Sequence, residues 1–550
     1  MKMKVGIALA VLVVLGASAW AFRLPLLLNT LGVLTDLRHP RAPNRPVPWV
    51  QGPATAAQPP AQRPPNVVVI LADDLGFNDV SLYGAGNPQQ PTPHLEQLAR
   101  EGVRFDRGYA GNAVCAPSRA TLMTGRYSTR FGYEYTPTPG NMAQVAPLLT
   151  DEIPRQHRIV LHPENARHIA PFDQLGMPPS EITLAEMLKA QGYHTLHIGK
   201  WHLGGTPELR PNNQGFDETL FMESGLYMRE DDPDVVNAKQ DFDPIDRFLW
   251  PNMRYATSYN GGDWFEPKGY LTDYYTDEAI NAIRANRNRP FFLFLAHWAV
   301  HTPLQALKSD YDALADIPLH RRRVNAAMVR ALDRSVGRVM QALKDEGLDE
   351  NTLVIFTSDN GAPNYIGLPE VNQPYRGWKL TYFEGGIHVA FAAKWPAQIP
   401  AGTVYGEAIS AIDLVPTVAA AAGAALPQDR PIDGVDLLPY LRGEKTGAPH
   451  DALFWRDGSY QVVIAGGWKL QVAERPRKTW LFHLDKDPTE REELSAREPA
   501  KLAELKALLD AHNAQMVAPL WPSFIELPVM VDRTLDQPEQ PGDEVVYWQN

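Results

Sequence analysis

Asn66-Val67-Val68-Val69-Ile70-Leu71-Ala72-Asp73-Asp74 decides the fold. An unbroken apolar run of this length suits a strand buried on both faces of a parallel sheet. It stops at two adjacent aspartates. Similar runs recur at 102–105, 195–198, 291–295 and 352–356. Between them the spacing predicts helices over 94–100, from an N-cap at Ser180 through Leu188, over 276–285 and over 321–346. Strands alternating with helices imply an α/β fold with a doubly wound, mainly parallel sheet. Such sheets bind ligands at the carboxyl ends of their strands, where this chain carries its polar clusters.

Around that body the composition shifts. Residues 1–35 open on Met1-Lys2-Met3-Lys4 and continue apolar, which reads as a signal peptide or an N-terminal membrane anchor. Residues 36–65 are proline-dense and read as a stiff linker. The catalytic α/β domain is expected over 66–445, with 206–272 mainly as long loops. Residues 446–550 read as a smaller antiparallel sheet with a covering helix bearing Leu502, Leu505, Leu508 and Leu509, then a tail that packs back. The chain has 550 residues, 52 Lys+Arg against 64 Asp+Glu, and a net charge of −12. An acidic balance argues against nucleic acid as a partner. The single cysteine excludes an intramolecular disulfide in an exported chain.

That cysteine is Cys115, in Cys115-Ala116-Pro117-Ser118-Arg119. Pro117 suits the first position of a helix. Cys115 is therefore expected at a helix N-terminus, where free N–H groups favour an anion, with Arg119 adding fixed positive charge. Asp73, Asp74, Asp359 and Asn360 supply only oxygen, the choice of a hard cation such as Ca²⁺ or Mg²⁺. Lys200 and His202 point the same way if their segment is extended. Each of these residues alone has an ordinary reading as a cap, a solvated lysine or a bonded histidine. Together with His301 and Lys379 they supply cations, a base and an acid.

The string Cys115-x-Pro117-Ser118-Arg119, with Leu122, Thr124, Gly125 and Arg126, resembles the signature of the type I sulfatases of the alkaline phosphatase-like superfamily. Segments 192–204, His301-Thr302-Pro303-Leu304, Gly377-Trp378-Lys379 and Glu384-Gly385-Gly386 resemble the same family. The resemblance implies a formylglycine made from Cys115 by a formylglycine-generating enzyme. It implies a divalent cation, Ca²⁺ or Mg²⁺, on Asp73, Asp74, Cys115, Asp359 and Asn360. Catalytic roles fall to Cys115, Arg119, Lys200, His202, His301 and Lys379, and Asp359 becomes the base. The activity implied is hydrolysis of a sulfated small molecule or glycan by an exported, periplasmic or extracellular enzyme. A phosphate or phosphonate ester hydrolase of the same superfamily and a non-catalytic sulfoglycan-binding protein are the alternatives. His388, Val300, His483 and Glu493 depart from the family pattern and direct attention to the substrate rim. Ser224 is a further candidate beside the sulfate, and Trp250, Tyr255, Tyr259 and Trp264 are candidates for stacking on a sugar.

Overall fold

The structure is a computed structural model that describes residues 40–84, 89–138, 155–223 and 225–550, with Thr30, Val33, Leu34 and Leu37 ahead of them. The N-terminal segment and Ser224 thus lie outside the described residues. Ten strands form the main sheet, in the order Thr403–Ser410, Val103–Tyr109, Phe391–Lys394, Thr352–Ser358, Asn66–Ala72, Phe291–Ala296, His194–Gly199, Glu218–Met222, Thr257–Tyr259 and Trp264–Phe265. The five strands from Thr352–Ser358 to Glu218–Met222 run parallel. Asn66–Ala72 is central and every one of its residues is buried.

Its alternating side chains enter two different cores. Val68 and Ile70 pack with the helices Pro93–Arg100, Leu271–Asn286 and His320–Asp345. Val67, Val69 and Leu71 pack with Cys115–Thr124, Leu184–Ala190 and Leu414–Ala422. Period-two alternation with both faces apolar requires helices on both sides, and this is the doubly wound arrangement.

Several local expectations are corrected. The helix expected from Ser180 is capped by Thr183, whose side chain accepts from Glu186 N while the Glu186 carboxylate returns to Thr183 N. Pro117 is the third helical residue, because Cys115 itself begins the helix. Segment 206–272 is less loop-like than its weak periodicity suggested. It contributes three short strands to the main sheet and the helix Pro244–Asn252. The proline-rich stretch lies against the body from residue 40 onward. Trp49 is buried and donates from Nε1 to Glu278 Oε2 at 2.7 Å.

The C-terminal part is a four-stranded antiparallel sheet, Ala452–Asp457, Tyr460–Ala465, Trp468–Glu474 and Arg477–His483. Helix Pro499–Asn513 covers it with Leu505 and Leu509, and Leu508 points to solvent instead. The tail returns as Ile525–Met530 paired with Val545–Gln549, and Val546 and Trp548 enter the main core.

Candidate active site

The polar residues that follow the central strands meet at one sheet edge. Backbone bonds lace the strand ends together first. Asp359 N donates to Ala72 O, His297 N to Leu71 O and Lys200 N to Ala296 O. Arg119 then ties three of these ends with one side chain. Its guanidinium donates to Asp359 Oδ2 at 2.9 Å, to Asp73 Oδ2 at 3.2 Å and to Lys200 O at 2.9 Å, and none of it is exposed. A planar fork with five donors suits such a three-way tie.

Cys115 starts its helix with no side-chain cap on Val114, so free N–H groups face the same space. Its Sγ lies 3.4 Å from Asp73 Oδ1 and 3.7 Å from Asp74 Oδ1. Lys200 Nζ stands 2.6 Å from Asp73 Oδ2, and Lys379 Nζ 2.8 Å from Asp74 Oδ1. Asn360 Nδ2 donates to Asp74 Oδ1 at 2.7 Å. His301 Nδ1 donates to Thr302 O at 2.7 Å, which leaves Nε2 to accept from Lys379 Nζ at 3.3 Å. Every sequence-predicted site residue except His202 is linked into this cluster by direct polar contacts.

His202 stands beside the cluster in an unexpected conformation. Its φ is 65°, so Lys200 and His202 are not alternate residues of an extended segment. The turn buries Nδ1 without a partner, while Tyr133 donates to the His202 carbonyl at 3.2 Å. Asp74 (φ 60°) and Leu380 (φ 70°), the neighbour of Lys379, share the left-handed region. Non-glycine residues persist there only where the surroundings over-determine them.

The electrostatics follow from burial and proximity. Burial disfavours the charge on Asp73, yet Lys200, His301, Arg119 and Lys379 outweigh it and hold the carboxyl far below its usual range. Asp74 is lowered in the same way, against burial, chiefly by Lys379. Asp359 goes the other way. Burial and the Asp73 carboxylate push it up to about 6. Burial, then Lys200 and Arg119, holds His202 well below 6.5, and burial lowers His301 to about 4. Burial and the Asp359 and Asp73 carboxylates push the Cys115 thiol well up. This corrects the expectation that the helix start together with Arg119 favours an anion at position 115: the neighbouring carboxylates and burial outweigh both at the sulfur, and an unmodified thiol here is a poor nucleophile.

The donors fit a hard cation. Asp73, Asp74, Cys115 and His301 each offer an atom within 4.8 Å of the others. His301 Nε2 is already engaged by Lys379, whereas the two amide hydrogens of Asn360 are spent on Asp74 and Gly361 O, leaving its Oδ1 buried with no partner. An orphaned oxygen among three carboxylates is what an oxygen-seeking divalent cation would satisfy.

Sequence reasoning missed three supporting residues. Trp298 stacks on His301 at 4.1 Å, and Lys200 Nζ sits 4.7 Å from its ring centre. Tyr365 donates to Asp74 Oδ2 at 3.4 Å. Ser118 Oγ accepts from Gly111 N at 3.1 Å and pins the loop that enters the helix. Trp298 had one visible signal, its place between the strand end Ala296 and His301. Three of the four candidate sugar-stacking aromatics are committed elsewhere: Trp250 and Tyr255 are buried in the core, and Tyr259 bonds Glu218; Trp264 is half-buried, its ring 6.0 Å from that of Phe221. His388 is also buried, bonding Glu384 and the Asp106 carbonyl, and Glu493 accepts from Leu481 N in the C-terminal sheet.

A family model described as Sulfatase matches residues 65–424. Human N-acetylgalactosamine-6-sulfatase is 32% identical over 497 residues, covering 83% of this chain and 87% of its own. Mouse steryl-sulfatase is 31% identical over 570 residues, covering 83% of each. Among solved structures, Ps i-CgsB in complex with k-i-k-neocarrahexaose superposes with a TM-score of 0.69 at 28% identity, covering 84% of this chain and 95% of its own. The phosphonate monoester hydrolase of Agrobacterium radiobacter shares the fold, with a TM-score of 0.58 at 19% identity, covering 82% of this chain and 96% of its own.

Proposed function

The chain belongs to the sulfatase family and is a sulfuric ester hydrolase; from that premise we propose that the ester is cleaved at the Cys115 cluster. The observation that carries this reading is the burial of Arg119, Lys200 and Lys379 with Asp73, Asp74 and Asp359 around one helix-starting cysteine. Three cations balance three carboxylates. A divalent ion on the carboxylates would leave two positive charges facing the single negative charge of a sulfate ester.

Formylglycine formed from Cys115 supplies a hydrated aldehyde as the nucleophile toward sulfur. A cation held by Asp73, Asp74, Asp359, Asn360 and the group at position 115 supplies fixed positive charge beside the sulfuryl oxygens. Oxygen donors suit either Ca²⁺ or Mg²⁺; four of them from the chain lean to Ca²⁺, since Mg²⁺ keeps several waters and takes only one or two carboxylates. Asp359, ionised at neutral pH and held by Arg119, takes the proton of the attacking hydroxyl. Arg119 holds Asp359 and Asp73 in register. Lys200 and Lys379 are point donors, free to turn to the sulfuryl oxygens once the cation occupies their carboxylates. Lys379 with His301 also faces the leaving oxygen. His202 is neutral at pH 7, and its unpartnered Nδ1 accepts the proton of the hydroxyl remaining at position 115 in the second half of the reaction, as the C–O bond to the sulfate breaks, sulfate leaves and the aldehyde returns.

Cys115 is 2% exposed, so a formylglycine-generating enzyme must reach it before the chain folds. The same reading makes this an exported enzyme, periplasmic or extracellular, with its apolar N-terminus as signal or anchor. No helix among the described residues is long and apolar enough to cross a membrane. The substrate class is a sulfated sugar or small molecule, in line with the relatives' names. The test is the mass of the Cys115 peptide from native material together with turnover of an aryl sulfate. A formylglycine mass with turnover supports the reading; an intact thiol in fully active protein overturns it.

A further inference from the structure

A second cluster of charges is buried away from Cys115, where the C-terminal sheet meets the body. Lys469, on the strand Trp468–Glu474, has no exposed side-chain surface. Its Nζ lies 2.8 Å from Glu384 Oε1 and 2.9 Å from Glu490 Oε1. Glu490 Oε2 accepts from the backbone N of Glu384 at 2.6 Å, and Gln471 Nε2 donates to its Oε1 at 3.0 Å. Tyr109 Oη and His388 Nδ1 both reach Glu384 Oε2 at 3.0 Å. Arg376 donates to the Glu490 carbonyl at 3.1 Å.

This cluster grips the segment that carries Lys379. Glu384 begins the short helix Glu384–Ile387. Its two glycines touch the Lys379 loop backbone to backbone. A Cβ on Gly386 would stand 2.0 Å from Thr381 O and 2.5 Å from Trp378 O. Gly385 N donates to Arg376 O at 2.7 Å, and Gly361 N to Gly386 O at 3.0 Å, next to Asn360. On the loop's far side, Lys379 N donates to Ala362 O and Leu380 N to Ala113 O, two residues before Cys115. Contacts between backbones leave no flexible side chain to absorb a shift, so a displacement of Glu384 reaches Lys379.

We infer that the C-terminal sheet is a positioning part of the catalytic centre: Lys469 and Glu490, acting through Glu384 and its glycines, hold Lys379 in register with Cys115 and Asn360. The inference rests on the proposed role of Lys379 at the leaving oxygen. Lys469 and Glu490 are positioning residues and touch no substrate.

The experiment uses the full-length modified enzyme, with Lys469→Arg and the double variant Lys469→Met/Glu490→Gln. Each is assayed on p-nitrophenyl sulfate, whose leaving group needs little help, and on an alkyl sulfate, whose leaving alkoxide needs much. A displaced Lys379 shifts the kcat/KM ratio against the alkyl ester, by about tenfold or more in the double variant and by less in Lys469→Arg. Mere loss of active molecules lowers both rates equally and leaves the ratio alone. A wild-type ratio in the folded double variant overturns the inference. If the double variant does not fold, a wild-type ratio in Lys469→Arg does so. Lys379→Ala, run alongside, separates the premise from the inference. An unchanged ratio there removes the role of Lys379 itself. A shifted ratio there, with none in the C-terminal variants, removes only the positioning.

Discussion

The two buried ionic clusters are alike in burial and unlike in completion. Around Lys469 one ammonium lies between two carboxylates, and each group of the cluster finds a partner within the protein. Around Cys115, Asn360 Oδ1, His202 Nδ1 and Trp298 Nε1 are buried without partners. Three of the five non-glycine residues at positive φ among the described residues, Asp74, His202 and Leu380, belong to this cluster or adjoin it. The comparison teaches that buried charge alone does not mark a site. Unmet bonding capacity gathered around one point does, because buried polar groups are otherwise paired; strained backbone does not separate the two, since Glu490 of the complete cluster also has a positive φ, 55°.

The largest effects belong to the incomplete cluster. Cys115→Ala removes the nucleophile but deletes only a small buried group, so turnover should fall by at least about 10³-fold while the unfolding midpoint stays near wild type. Substantial residual turnover would contradict the assignment of position 115. Lys379→Ala removes one preorganised donor and should lower kcat by about 10²–10³-fold in folded protein, measured on an aryl sulfate. A loss of fold instead would make Lys379 a fastener like Lys469.

The complete cluster should answer in stability. Lys469→Met leaves Glu384 and Glu490 facing each other with no cation, and breaking a buried pair from one side costs about 3–5 kcal/mol. Lys469→Met/Glu490→Gln leaves Glu384 to His388 and Tyr109 and should recover much of that loss. Urea unfolding of the two variants measures the difference. Equal destabilisation would mean that packing, not charge, dominates at Lys469.

The same contrast decides what could be read from the chain alone. The central sheet was legible because Val67–Leu71 and its counterparts at 291–295 and 352–356 are apolar on both faces, a pattern few other environments permit. The oxygen ligands were legible because they directly follow two of those strands, and the nucleophile because Cys115 is the only cysteine and opens a string that resembles the family signature. Segment 206–272 was not, since its strands at that end of the main sheet are only two to five residues long with weak alternation. Thr183 was passed over for Ser180, since both are good caps and only the backbone chooses between them. The contacts of Trp298, beyond its place between Ala296 and His301, and the Lys469 cluster were illegible for a shared reason. Their function lies in contacts between residues far apart in sequence, and no local pattern encodes a partner such as Glu384 for Lys469.

The smallest expected effect is a pH dependence that separates the clusters by its readout. In both, burial beside a second carboxylate raises one acid, Asp359 to about 6 and Glu490 to about 7. At the site the consequence is catalytic: the divalent cation on the same carboxylates would pull Asp359 below its metal-free value, so the acid limb of kcat/KM should lie below pH 6. At the fastener the consequence is stability. The folded pKa of Glu490 exceeds its usual 4.5, so its contribution is fully present below pH 4.5 and is lost as pH rises through about 7. Glu384, held down to about 2 against burial chiefly by Lys469, acts in the opposite sense and only below pH 4.5, outside this window. Wild type should therefore lose stability relative to Glu490→Gln between about pH 4.5 and pH 7 and level off above it, by up to about 1.4 kcal/mol per pH unit inside that window. Parallel stability curves for the two proteins would mean that Glu490 is ionised throughout and that Lys469 holds two full negative charges.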